Sequence, residues 1–157
     1  MESNEEKFIL SLNNARKSLQ TTDHLVYVTF PLLKEQRLLL KSLEELQNAI
    51  INIINAILQY ESYYRKIPIS LDFKENLNIF KKIAPSYNIN LSQIEKITEI
   101  LEIAEEHKKS PFEFVKNDKI VIMGDNFKTE VLSLDKIKNY IIEVKDFLRK
   151  AAMKINR

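Results

Sequence analysis

Only two side chains in this sequence, His24 and His107, titrate near neutrality without help from their surroundings, and cysteine is absent. The lack of cysteine excludes disulfides, thiolate nucleophiles, Cys-ligated zinc and Cys-ligated iron–sulfur clusters. Acyl transfer through a Ser-His-Asp relay needs a positioned base, and neither histidine stands in a recognisable triad context. A di-metal four-helix bundle needs Glu-x-x-His pairs; three residues before His24 is Thr21 and three before His107 is Ala104, so the motif is absent at both. Glu102 and Glu106 share a helix face, but with Glu105, Lys108 and Lys109 beside them they read as a solvated surface. The single glycine, Gly124, cannot supply a Walker A loop or a GxGxxG fingerprint. The sequence therefore assigns no catalytic residue, no metal ligand and no cofactor, and it leans away from an enzyme. Asp23-His24 reads as a structural pair, and His107, with Lys108 and Lys109, complements the dipole at the end of a helix.

Binding chemistry is better represented. Lys108, Lys109, Lys116 and Lys119 border a predicted hairpin, while Lys145, Arg149, Lys150, Lys154 and Arg157 crowd the final helix. If hairpin and helix end are neighbours, Lys108, Lys109, Lys116, Lys119, Arg149 and Lys150 form one positive patch able to take nucleic acid. Phe112, Phe114 and Phe127 alternate with these charges and could stack bases, although alternating aromatics on a strand more often face the core. The net charge is only +2, from 24 basic and 22 acidic residues, which is small for a dedicated nucleic-acid binder. Residues 1–110 carry fourteen Lys/Arg against fifteen Asp/Glu and residues 111–157 ten against seven, so the excess lies in the last third. Tyr60, Tyr63 and Tyr64, beside Arg65 and Lys66, are expected to close a helix end, ring inside and hydroxyl outside.

The elements that must position these residues are mostly helices. One glycine and four prolines in 157 residues, where average usage gives about eleven and about eight, leave few tight turns. With 45% hydrophobic and 29% charged residues, the chain has the composition of one globular domain over 1–157. Ser3-x-x-Glu6 is a capping box, and Phe8, Leu12, Ala15 and Leu19 follow at helical spacing. This first helix is expected from near Glu5 to about Thr29, stopped by Pro31. In the second helix Leu39, Leu43, Leu46, Ile50, Ile53, Ile57, Tyr60 and Tyr64 form an unbroken seam of alternating four- and three-residue steps. From Leu46 to Tyr60 there is no charge, yet five amide side chains in 15 residues rule out a transmembrane span.

Asp72-x-x-Glu75 opens a short third helix ended by Pro85, and Asn90-x-x-Gln93 opens a fourth that ends near Ser110-Pro111. Over about 112–132 the period changes to two, which predicts a hairpin or three-stranded meander with turns at Asn117-Asp118 and Gly124-Asp125-Asn126. Ser133 then caps a last helix through Ile137, Ile141, Val144, Leu148, Ala151 and Ile155. The fold class is mainly α: a bundle of about five helices with a small β insert.

Asp23-His24 late in the first helix, Thr29-Phe30-Pro31 at its bend and Lys109-Ser110-Pro111-Phe112-Glu113-Phe114 before the hairpin resemble an uncharacterised family of small archaeal helical proteins. The resemblance spans nearly the whole chain and implies no activity. In architecture alone, the long paired helices are similar to HEPN domains, many of them dimers and some of them ribonucleases that use Arg, four to six residues, then His. Here seven residues separate Arg16 from His24, so the nuclease motif does not carry over.

The expectation is a non-enzymatic, cytoplasmic interaction protein, its acidic N-terminus being the reverse of a signal peptide. The charge-free second helix has more apolar stripe than one partner helix needs, which points to a homodimer through Leu46, Ile50, Ile53 and Ile57, or to another protein. The alternative is an RNA-associated protein working through the hairpin and last helix.

Overall fold

The computed structural model describes residues 4–110, 112–124 and 128–156. Ser3, Pro111, Asp125, Asn126, Phe127 and Arg157, all used in the sequence reading, lie outside them. Five helices and a three-stranded antiparallel sheet before the last helix make up the chain, as the periodicity predicts.

The first helix, α1, runs Asn4–His24 and does not stop at Pro31. It passes into a π-helical turn, Leu25–Thr29, and a last α turn, Phe30–Leu33. The Phe30 N–H reaches back five residues to the Leu25 carbonyl. That wider turn accommodates a proline whose ring would otherwise strike the carbonyl four residues before it. The helix ends where Lys34 turns left-handed, φ 50°, and donates to the Phe30 carbonyl at 2.7 Å.

The second helix, α2 (Arg37–Arg65), is the axis of the bundle, and here the sequence reading needs correcting. Leu46, Ile50, Ile53 and Ile57, expected to meet a second copy, are each 0% exposed within the single chain. So are Ala49, Ile54 and Ala56, which lie around the rest of the helix. A helix apolar on nearly every side belongs at the centre. It is sheathed by α1 along its length and by α3 (Phe73–Ile83), α4 (Leu91–Lys109) and α5 (Leu134–Ile155). Its amides sit on the half-exposed remainder, where Gln59 accepts from Ser11 at 2.9 Å.

The predicted caps form. Asp72 accepts from Lys74 N–H, Asn90 from Gln93 N–H and Ser133 from Lys136 N–H. Each satisfies a donor that the first turn of a helix leaves without a partner. Pro85 ends α3 through a 3-10 turn, Ala84–Tyr87, closed by Asn88 at φ 58°. Gln93 bonds to Asp146 on α5 at 3.0 Å, and Tyr140 donates to Glu99 at 2.6 Å, so α4 and α5 run antiparallel.

Between them lie β1 (Phe112–Lys116), β2 (Lys119–Met123) and β3 (Thr129–Leu132), in that order. Asn117 and Asp118 at φ 51° and 63° make the two-residue turn that the alternation predicts. Gly124 has no positive φ. A Cβ there would collide with the Glu106 carboxylate, so close approach is what this position requires of glycine.

Candidate functional site

Pairing register decides which sheet residues face out. Phe114 pairs with Val121 and Val121 with Val131; Phe112 pairs with Met123 and Met123 with Thr129; Lys116 pairs with Lys119. Because side chains alternate, these eight residues share one face. The other face carries Ile120, Ile122 and Leu132, all buried. The first set looks outward: Phe112 is 66% exposed, Phe114 46% and Val131 41%. The core-facing reading of the two phenylalanines is therefore reversed. The inner face of β1 instead carries Glu113, which is bonded to His107. The outward face is an aromatic and aliphatic strip with exposed Lys116 and Lys119 at its tip, and none of its eight residues is acidic.

The six residues expected to form one basic patch do not meet. Lys108 and Lys109 end α4 at the base of the sheet, Lys108 ion-paired with Glu105 at 3.7 Å. Lys116 and Lys119 sit at the hairpin tip. Arg149 and Lys150 lie at least fifteen residues into α5, roughly 22 Å from its junction with the sheet. The antiparallel α4–α5 pair puts the hairpin and the C-terminal end of α5 at opposite ends of the bundle, a separation that charge counting along the chain cannot register. No family model, curated protein or solved structure matches this chain.

The far end holds a group of residues the sequence reading passed over. Glu61 is 0% exposed. Its Oε1 accepts from the Tyr87 hydroxyl at 2.8 Å and lies 3.4 Å from Lys154 Nζ. Its Oε2 makes no hydrogen bond, and Arg65 Nε stands 3.4 Å away. Lys154 Nζ also sits 4.2 Å from the centre of the Tyr87 ring. Burial, then the bond to Glu61 and its negative charge, push the Tyr87 hydroxyl far above its usual range, which fixes it as a donor. The signal was present in the sequence: Glu61 follows Ile54 by seven residues and Ile57 by four, a carboxylate on the apolar stripe.

The two histidines fare differently. His24 is exposed, and its neighbour Asp23 pairs with Lys145 at 2.7 Å rather than with it. His107 joins three elements: Nδ1 lies 2.6 Å from Glu113 on β1 and Nε2 3.0 Å from Glu44 on α2. Burial works against its charge, but the hydrogen bonds to Glu113 and Glu44 outweigh it and raise the pKa above 6.5. A pKa raised by folding contributes stability that is complete below the unfolded value of 6.5 and fades as pH rises through the folded value. The urea midpoint of the wild type should therefore fall, relative to that of His107→Gln, as pH rises from 6 toward 9. Parallel midpoints at all pH values would show that the histidine does not brace the sheet.

Proposed function

We propose that this chain is a non-enzymatic binding protein whose working surface is the outward face of the sheet, and that its ligand is single-stranded RNA. The observation that carries this reading is the exposure of Phe112 and Phe114 on one face with Lys116 and Lys119. Large aromatics placed outward cost stability, and a contiguous exposed apolar strip marks an interaction surface. Aromatic faces flanked by cations and free of carboxylates suit stacked bases and a phosphate backbone. The sheet is held against the bundle by Glu113–His107–Glu44 and by Ser110, whose hydroxyl contacts the Phe112 and Met123 carbonyls. Those contacts orient the strip without using any residue of it as an anchor. The self-association expected from the second helix has lost its surface, since that helix is spent on the core.

Binding of a mixed-sequence single-stranded RNA should weaken as salt rises, with log K falling by roughly 0.7 per phosphate contacted for each unit of log salt. Phe112→Ala with Phe114→Ala should weaken binding at least about fivefold, because each stacked base contributes about 1–3 kcal/mol. Lys116→Ala with Lys119→Ala should instead flatten the salt slope by about one unit in all. RNA binding indifferent to both pairs, or no binding at low salt, sinks the reading. A dimer in sedimentation that Phe112→Ala and Phe114→Ala dissolve would give the face to a second copy of the chain.

A further inference from the structure

The opposite end of the bundle carries a pocket of about 260 Å³ between the 3-10 turn at Ala84–Tyr87 and the last two turns of α5. Its lining includes the cations Arg149, Lys150 and Lys154 together with Ser86 and Asn88, and no carboxylate. The donors of the three cations are only partly spent. Lys150 bonds Gln93 at 2.8 Å and pairs with Asp146 at 3.2 Å, which occupies two of its three N–H groups. Lys154 gives one to Ser86 at 3.2 Å and one toward Glu61. Arg149 turns Nε and one N–H of Nη2 to Asp146 and one N–H of Nη1 to the Met153 sulfur, a weak acceptor. Two carboxylates, Asp146 and Glu61, thus stand against three cations, leaving one net positive charge and unused donors from each at the cavity.

The arrangement is also held in place. Asp146 keeps Arg149 and Lys150 side by side, and these cations in turn hold its carboxyl below the usual range. Glu61, fully buried beneath, fixes Lys154 from below, while Lys154 rests over the Tyr87 ring. The Tyr87 hydroxyl is committed to Glu61 and the Ser86 hydroxyl donates to the Ile83 carbonyl, so neither competes for the lysine donors as an acceptor of a further proton. Preorganised cations with spare N–H groups and no acid in the lining select a compact, multiply charged oxyanion.

We propose that this pocket binds a phosphate group, with Arg149, Lys150 and Lys154 as its ligands. The phosphate could be free or the 5′ end of a strand; the chemistry of recognition is the same. The pocket stands independently of the sheet face, from which the length of α5 separates it.

Titration of the ¹⁵N-labelled protein with inorganic phosphate at constant ionic strength tests the assignment. Parallel titrations use 5′-phosphorylated and 5′-hydroxyl ribodinucleotides. Saturable shifts confined to the amides around Tyr87, Asn88 and Lys154, with a Kd near or below about 1 mM, are the expected result. Arg149→Gln, an exposed change that leaves the Glu61 group intact, should weaken binding about tenfold, the loss of one charge-assisted contact. Saturation by the 5′-phosphorylated dinucleotide but not by its 5′-hydroxyl counterpart would identify a strand end as a source; saturation by inorganic phosphate alone would identify free phosphate. Linear shifts spread over the surface, shifts that chloride reproduces, or an affinity unchanged in Arg149→Gln would overturn the proposal.

Discussion

Ile53→Glu is expected to abolish cooperative folding rather than to separate two subunits. Ile53 is 0% exposed and is surrounded by α2's own sheath of helices. A carboxylate there would have no partner, and desolvating an unpaired charge costs several kcal/mol even after relaxation. Added to the loss of the isoleucine's packing, about 2–5 kcal/mol for Ile→Ala, this approaches the whole stability of an ordinary domain, about 5–15 kcal/mol. Ile53→Ala supplies the graded control: it should stay folded and melt about 4–20 °C lower. Thermal denaturation by circular dichroism distinguishes the cases. A folded, monomeric Ile53→Glu protein derived from a dimeric parent would restore the interface reading of Leu46, Ile50, Ile53 and Ile57.

The second large effect is expected at Lys154. Lys154→Met keeps most of the volume and removes the cation nearest to Glu61, leaving a fully buried carboxylate with the Tyr87 hydroxyl and the more exposed Arg65. Removing one partner of a buried pair costs about 3–5 kcal/mol, and the remaining Arg65 places the expected loss near 3 kcal/mol. The double change Lys154→Met with Glu61→Gln should recover most of it, to within about 1 kcal/mol of wild type. The amide oxygen still accepts from Tyr87, and no charge is left stranded. Urea denaturation of the four members of the cycle measures the coupling. Equal losses in the single and double variants would mean that Lys154 contributes through packing on Tyr87 and not through charge.

The same residues show how far the sequence reaches. Where a rule depends on neighbours along the chain it performs well. Asp72, Asn90 and Ser133 cap helices because a short polar side chain and a free N–H two or three residues later are both local. The two-residue turn at Asn117-Asp118 is equally local, since both residues tolerate positive φ. Even the π turn before Pro31 is a local remedy, and the expected helix end near Thr29 failed only because proline was treated as a terminator and not as a residue a wider turn can hold.

What periodicity cannot encode is which other element covers a stripe. The seam of α2 reads identically whether a second copy or the chain's own helices lie against it; only the packing of α1, α3, α4 and α5 around it decides. Alternation in β1 fixes that Phe112 and Phe114 share a face, but which face turns outward depends on where β2 presents Ile120 and Ile122 to the bundle. Likewise the six cations could be counted from the sequence, while the antiparallel course of α4 and α5 sent them to opposite ends. The sequence by itself determined the helices, their caps and the meander, because those are set by interactions over a few residues. The tertiary structure alone decided the surfaces, because burial and charge proximity are properties of residues far apart in the chain, as Glu61, Tyr87 and Lys154 are.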